Sequence, residues 1–418
     1  MECRFCKSEL KSVFVDLNTS PPSNSFLTED QLNDQEAYYP LKVYTCEECF
    51  LVQIDEFKSH DSIFDDQYVY FSSYSKSWLA HAKAYVHSMN ERFAYNPDSY
   101  VVEIASNDGY LLQYFKELNV PVLGIEPTKN TASVAESKGI ETVNEFFGTK
   151  LAERLKQEKK QADLLIGNNV LAHVPDIVDF VSGLKILLKH TGVVTMEFPH
   201  LMQLVENNQF DTIYHEHFSY LSFSTVWSIF KECGLEMFDV EEIPTHGGSL
   251  RIFAKHIDNK HLAVLPSVYH LLKKEEDKGM RTIEYYEDFQ QRTLKVRDEF
   301  MQFVNEQKLA GKKIAGYGAA AKGNTFLNYC GVNTSEIDFV VDANPHKQNK
   351  WLPASHIPVL ESSALEKEKP DYLVIFPWNL KSEIIQEFSA VKRWGCKFVV
   401  AIPSLTIIED YANQLLNL

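Results

Sequence analysis

The chemically densest stretch of this 418-residue chain is Tyr214-His215-Glu216-His217. Imidazole titrates near neutral pH, a neighbouring carboxylate orients or polarises it, and a phenol donates to an oxygen that gains charge. An acid–base constellation is therefore expected. A divalent-metal site and a purely structural polar cluster are the alternatives. The metal reading lacks the His-Glu-x-x-His spacing that brings two imidazoles to one helix face. His173 lies in Gly167-Asn168-Asn169-Val170-Leu171-Ala172-His173-Val174-Pro175, after an apolar segment that reads as a strand. Open α/β sheets bind ligands beyond the carboxyl ends of their strands, so His173 can face a reaction centre or be a satisfied structural residue.

Other motifs carry glycines where a ligand or a turn needs them. Val101-Val102-Glu103-Ile104-Ala105-Ser106-Asn107-Asp108-Gly109 runs from a strand into a small polar turn and then a helix. The next strand ends in Gly124-Ile125-Glu126-Pro127, an acid placed to accept from ribose hydroxyls. The Gly-x-Gly-x-x-Gly dinucleotide fingerprint is absent. The pattern is similar to the S-adenosylmethionine site of class I methyltransferases, with Ala105 where glycine is usual; alanine is tolerated there if its φ is negative. A doubly wound domain without a ligand is the alternative.

His246-Gly247-Gly248-Ser249-Leu250-Arg251 is a turn entering a strand, with Arg251 a candidate partner for phosphate; an ordinary turn is the alternative. Gly316-Tyr317-Gly318-Ala319-Ala320-Ala321-Lys322-Gly323-Asn324 follows a strand and opens a helix, so it can cradle phosphate with Lys322 nearby. Its glycine spacing matches neither the dinucleotide fingerprint nor the P-loop. Asp342 ends the next strand. NAD and a nucleotide-sugar diphosphate both fit this physics.

Four of the seven cysteines form two pairs, Cys3-x-x-Cys6 and Cys46-x-x-Cys49. Four thiolates suit one tetrahedral structural zinc, with no open position for catalysis. Four unrelated buried cysteines are the alternative. Cys233, Cys330 and Cys396 read as core residues. The stretch between the pairs, with Pro21 and Pro22, reads as a loop-rich knuckle.

The elements that must position these residues follow from periodicity. Tyr100–Ile104, Val122–Ile125, Leu164–Ile166 and Val193–Phe198 read as strands, with helices at Leu111–Leu118, near Ala132–Ser137 and near Ile177–Leu188. Strands alternating with helices predict a parallel sheet. Residues from Pro266 to Leu309 read as one or two connecting helices. The pattern then restarts at Lys313–Tyr317, Ile337–Val341, Tyr372–Phe376 and Phe398–Ile402, a second doubly wound domain. The length predicts two to three domains.

Composition excludes some classes. Lys+Arg number 41 and Asp+Glu 58, so 41 − 58 gives a net charge of −17, which repels nucleic-acid backbones. No apolar run approaches the ~20 residues that span a bilayer. The first residues, Met1 to Cys6, carry no apolar signal core. A soluble cytoplasmic protein with reduced thiols, and no nucleic-acid or membrane partner, is expected.

In their order, these motifs resemble the nucleotide-sugar C-methyltransferase family across essentially the whole chain. The resemblance implies an α/β fold: a class I methyltransferase Rossmann-like domain, a second C-terminal Rossmann-like domain and a small N-terminal zinc-binding domain. The expected boundaries are 1–65 for zinc, 66–265 for S-adenosylmethionine, 266–310 for a helical connector and 311–418 for the nucleotide sugar. It implies catalytic roles for His217, Glu216, Tyr214, His173 and Tyr68, the last in Tyr68-Val69-Tyr70-Phe71-Ser72-Ser73. Glu103, Ala105, Asn107, Asp108, Gly109, Glu126, Asn168 and Asn169 would hold the methyl donor. Tyr70, His215, His246, Gly248, Ser249, Arg251, Gly318, Lys322 and Asn324 would hold a nucleoside-diphosphate keto-sugar. Cys3, Cys6, Cys46 and Cys49 would hold zinc. A monomer is expected. An NAD-dependent nucleotide-sugar oxidoreductase, a sugar O-methyltransferase and an inactive nucleotide-sugar binding module are the competing readings.

Overall fold

Two seven-stranded sheets organise the computed structural model, which describes residues 1–57 and 71–409. Tyr68 and Tyr70 therefore lie outside the described residues. The chain begins with β1 (Ser12–Ser20), β2 (Tyr39–Thr45) and β3 (Val52–Ile54), then α1 (Lys76–Phe93). Alternation follows as β4 (Val101–Ile104), α2 (Leu112–Glu117), β5 (Val122–Ile125), α3 (Lys129–Ser137), β6 (Thr142–Val143), α4 (Thr149–Gln157), β7 (Ala162–Asn168), α5 (Ile177–Leu187) and β8 (Leu188–Pro199). Next come α6 (Leu201–Glu206), β9 (Ser219–Tyr220), α7 (Phe223–Glu232), β10 (Leu235–Ile243), β11 (Ser249–His256), α8 (Pro266–Asp277) and α9 (Phe289–Leu309). The last part holds β12 (Ile314–Tyr317), α10 (Ala321–Cys330), β13 (Phe339–Val341), β14 (Lys350–Trp351), β15 (Pro358–Leu360), α11 (Ala364–Glu368), β16 (Tyr372–Ile375), α12 (Lys381–Glu387), β17 (Lys397–Val400) and β18 (Thr406–Ile408). Among the described residues no helix is long and apolar enough to cross a membrane.

Packing divides the chain into two units that are not contiguous in sequence. The first comprises Met1–Ser12, Thr45–Leu201 and His217–Tyr285; the second comprises Val13–Tyr44, Met202–Glu216 and Tyr286–Leu418. Both cysteine pairs belong to the first unit. Most of the segment between them, Val13–Tyr44, belongs to the second and carries all but the first residue of the nine-residue strand β1, where the sequence reads as loop.

The sheet of the first unit has the order β10-β11-β8-β7-β4-β5-β6. Strands β4 to β8 pair in parallel, and β11 is antiparallel to both β8 and β10. All four residues of β4 are buried, as a central parallel strand covered on both faces requires. From β4 the chain winds outward through β5 and β6, then returns to place β7 on the other side. The crevice beyond the ends of β4 and β7 is thus a topological switch point, the place where open sheets bind ligands. The second unit repeats this logic in the order β14-β15-β13-β12-β16-β17-β18, with its switch point between β12 and β16.

One buried ion pair fastens the helices of the first unit. Glu275 on α8 is fully buried and accepts from the N–H groups of Phe223 (2.6 Å) and Ser224 (2.8 Å), which open α7. It also pairs with His200 Nε2 at 2.7 Å. Burial alone would raise this carboxyl, but the bonds from His200 and Ser224 outweigh it and hold it below its ordinary value. Removing one partner of such a pair costs about 3–5 kcal/mol, so Glu275→Ala is expected to lower stability by that amount at neutral pH. A depressed carboxyl stabilises the fold above its unfolded value and ceases to as pH falls through the folded one. The gap between wild type and Glu275→Ala should therefore narrow below about pH 4.5. Urea midpoints at pH 7 and pH 3.5 measure it; an equal gap at both would show that the charge contributes nothing.

Candidate active site

At the switch point of the first unit, the turn after β4 is left-handed at alternate residues: Ala105 (φ +56°), Asn107 (φ +49°) and Gly109 (φ +73°). The negative φ under which alanine is readily tolerated is not what Ala105 adopts. The turn forms with alanine in a conformation that costs roughly 1–2 kcal/mol. Its neighbours hold it there: Ser106 N–H donates to Ile125 O (3.2 Å), and Asn107 N–H donates to Glu126 Oε2 (2.9 Å). Gly109 suits this position, because an L side chain is strained at its φ of +73° and a Cβ would meet Ile140 Cδ1 at 2.4 Å unless that side chain moved.

Several polar atoms around this crevice are buried without a hydrogen bond. They include Ser106 Oγ, Asp108 Oδ1, both amide atoms of Asn168, and Asn169 Oδ1. Such groups are costly unless a ligand satisfies them. Burial lifts the Glu103 carboxyl well above the ordinary range, against a smaller pull from Tyr110, and raises Glu126 against donors on Thr128 and Asn107. Acceptors for an ammonium group and for ribose hydroxyls, in one crevice at a switch point, fit S-adenosylmethionine.

An aromatic wall flanks this crevice. Trp78 on α1 stacks on His81 (ring centroids 4.9 Å apart) and Tyr110 (6.0 Å) and tilts over His246 (5.3 Å). His246, left-handed at φ +54°, places Nε2 3.1 Å from Asn169 Nδ2. Gly248 is left-handed as well, and the Ser249 hydroxyl closes the turn on Thr245 O (2.8 Å). His81 Nε2 lies 2.8 Å from Glu197 Oε2. Arg251 grips the other oxygen of Glu197 through Nε and Nη2, each at 2.7 Å, and reaches Glu241 with Nη1. Arg251 is thus a buried partner of two carboxylates, which differs from the phosphate contact expected of it. Burial alone would raise Glu197; His81 and Arg251 outweigh it and hold the carboxyl low. Trp78, His81 and Glu197 escaped the sequence reading. The signal was the i, i+3, i+7 spacing of Trp78, His81 and Tyr85, which an ordinary core helix also shows.

His173 and His217 meet edge to face, ring centroids 4.6 Å apart. Phe218 N–H donates to Ala172 O (2.8 Å), which fixes His217 beside the turn carrying His173. Arg4 braces both strands of this contact. Its guanidinium donates to Pro175 O (3.0 Å) and Ile54 O (2.6 Å) and lies 4.9 Å from the centroid of Phe218.

Arg4 follows directly on the first cysteine. The sulfurs of Cys3, Cys6, Cys46 and Cys49 all lie within 4.8 Å of one another, with Cys3–Cys49 at 3.5 Å and Cys6–Cys46 at 3.4 Å. Zinc–sulfur bonds of about 2.3 Å in a tetrahedron place sulfurs about 3.8 Å apart, so the four fit one zinc ion. Donors on Cys49 and Gln53 hold the Cys3 thiol down to about 4. Gln53 joins the cluster to its surroundings: its Nε2 donates to Cys3 Sγ (3.2 Å), and its Oε1 accepts from Arg4 N–H (2.8 Å).

The second unit carries the remaining candidates. Tyr214 is half-buried. His215 is buried, with Nε2 3.2 Å from Pro40 O and its ring edge-on to Tyr39; burial lowers its pKa, against backbone hydrogen bonds to Pro40 and Tyr39. Glu216 is 5% exposed and accepts from Asn24 Nδ2 at 2.6 Å. After β12, Gly318 takes φ +91°, and Asp342 Oδ2 accepts from Ala319 N–H (2.7 Å) to close the turn. Lys322 donates to Asn379 Oδ1 (3.1 Å) and lies over the Trp378 ring (4.6 Å). Burial lowers its ammonium pKa, with Asp211 opposing. Asp211, pushed up to about 6 by burial, accepts from Trp378 Nε1 (2.7 Å). The amide nitrogen of Asn324 is engaged with Ser23 O.

Comparison with known proteins accords with this layout. Residues 3–64 match the family described as a putative zinc binding domain, residues 78–240 a methyltransferase domain, and residues 244–403 a C-methyltransferase C-terminal domain. C-methyltransferase NovU of Streptomyces niveus is 34% identical over 408 residues, which is 98% of this chain and 97% of that protein. Among solved structures, magnesium protoporphyrin IX methyltransferase from Synechocystis is 14% identical with a TM-score of 0.31, covering 42% of this chain and 76% of its own. A methyltransferase from Anabaena variabilis is also 14% identical, with a TM-score of 0.35 over 49% of this chain and 99% of its own. The chain belongs to the C-methyltransferase family, enzymes that depend on S-adenosylmethionine and here carry a four-cysteine structural zinc site.

Proposed function

We propose that the protein methylates a ring carbon beside the ketone of a nucleoside-diphosphate keto-deoxysugar, within deoxysugar biosynthesis in the cytoplasm, as a monomer. The observation that carries the reading is the His173–His217 pair, which belongs to the same unit as the methyl-donor crevice and follows it by a few residues after β7. A ketone acidifies its neighbouring C–H, and a nearby imidazole can take that proton. His217 is the base in this reading, and Glu216, next in the chain, orients it or shares the proton. Tyr214 and His173 donate to the keto oxygen as it gains charge, with Tyr68 in the same role outside the described residues. When bound, S-adenosylmethionine would supply an electrophilic methyl carbon whose bond to sulfur breaks as S-adenosylhomocysteine leaves. Glu103, Asn168, Glu126 and the Ala105–Gly109 turn would hold the donor. Gly318 and Lys322 receive the diphosphate, where a helix N-terminus and a desolvated ammonium favour negative charge.

Mass spectrometry of the enzyme with S-adenosylmethionine and a panel of nucleoside-diphosphate 4-keto-6-deoxysugars tests this. The expected result is a sugar gaining one methylene mass as S-adenosylhomocysteine forms in step. Deuterium uptake from solvent at the sugar carbon without donor separates carbon from oxygen methylation, because an O-methyltransferase forms no enolate. A panel with neither mass gain nor uptake, from enzyme that binds donor, would overturn the substrate class.

A further inference from the structure

We propose that Asn24 is a positioning residue that aims the carboxylate of Glu216; the proposal rests on the catalytic reading of Glu216 given above. Asn24 Nδ2 donates to Glu216 Oε1 at 2.6 Å across 192 residues of sequence, a short contact of the kind an acceptor carboxylate draws in. Holding one oxygen of a carboxylate fixes the plane of the group, and with it the direction of the second oxygen. Both residues belong to the second unit.

The amide is itself anchored. The preceding residue, Ser23, accepts through its carbonyl from Asn324 Nδ2, and its hydroxyl lies 3.4 Å from Thr325 Oγ1. Downstream, Leu27 and Trp351 exchange backbone hydrogen bonds at 2.9 and 3.0 Å. On the glutamate side, Thr325 Oγ1 donates to Ile213 O at 2.9 Å. Helix α10 therefore fastens the chain on both sides of the Asn24–Glu216 bond, through two consecutive polar residues on its first turns. Asn324 and Thr325 are each 1% exposed, so these contacts are shielded from water. The second Rossmann-like domain, on this view, sets the geometry of the acid–base segment as well as receiving the sugar nucleotide.

A double-mutant cycle tests the assignment. Asn24→Ala, Glu216→Gln and the combined variant are compared by kcat, KM and the rate of deuterium wash-in at the substrate carbon, with Asn24→Asp as a variant of matched size that lacks the donor. Losing a hydrogen bond to a charged group predicts that Asn24→Ala and Asn24→Asp lower kcat and wash-in together by about tenfold to a hundredfold, with KM within about twofold. In the Glu216→Gln background the Asn24→Ala loss should vanish, since the residue acts through that carboxylate. Wild-type kcat in both Asn24 variants, or a loss of the same size in the Glu216→Gln background, overturns the positioning role. Wild-type turnover of Glu216→Gln would instead overturn the catalytic reading of Glu216 itself. Thermal melts of each variant report folding separately.

Discussion

Replacing His217 with asparagine should lower turnover by about 10²–10⁴-fold, the range a positioned general base contributes. Asparagine keeps polarity and approximate size, so the edge-to-face neighbour His173 and the Phe218 backbone contact lose little support. Donor binding should stay within about twofold of wild type, since the left-handed turn and Glu126 are held by contacts that do not include His217. The decisive comparison is deuterium wash-in at the substrate carbon without methyl donor. If His217 removes the proton, wash-in falls with turnover. If His173 is the base, His173→Asn removes wash-in while His217→Asn retains most of it. Full turnover by His217→Asn would end the assignment.

Removing the zinc should have the second large effect. Structural zinc binds small domains with about 10–16 kcal/mol, comparable to the whole stability of an ordinary domain. Cys46→Ser, or prolonged chelation, is expected to release the metal and expose the first segment to protease at Arg4, Lys7 and Lys11. The damage should travel. Cys3 is tied by Gln53 to Arg4, and Arg4 braces Pro175, Ile54 and Phe218 around the two histidines. Hydrogen exchange should therefore quicken at Phe218 N–H as well as within the cysteine pairs. Metal analysis, exchange and turnover on one sample test this. Zinc loss with unchanged exchange at Phe218 and unchanged turnover would show that the knuckle holds only itself.

The parts legible in the sequence were those set by local pattern. Apolar runs ending in small polar turns marked β4, β7 and β12, and with them both switch points. Paired cysteines marked the metal site because sulfur chemistry needs that spacing. What escaped was decided by partners distant in sequence. Arg251 reads as a phosphate ligand until Glu197 and Glu241 are seen on either side of it. Ala105 reads as a conflict with a tight turn until Glu126 and Ile125 are found holding its neighbours. His215 belongs to the richest motif, yet its imidazole faces the Pro40 carbonyl. The residues between the cysteine pairs read as loop because β1 takes its packing from α9, nearly three hundred positions later. Phe14 stacks on Phe289 with centroids 4.4 Å apart.

That last contact bears on how the protein is made. Both cysteine pairs lie within 47 consecutive residues, Cys3 to Cys49, so a zinc site of purely local origin can close before the later segments are made. Phe14 leaves the ribosome more than two hundred and fifty residues ahead of Tyr286 and Phe289, and must wait for them before its ring is covered. The second unit cannot be completed until its third segment emerges, while the first is finished by Tyr285. Folding is consequently ordered by the path of the chain, and the interval in which Val13–Tyr44 stays uncovered is set by translation time. For the same reason, cutting the gene after Tyr285 yields two fragments of which neither contains the whole second unit.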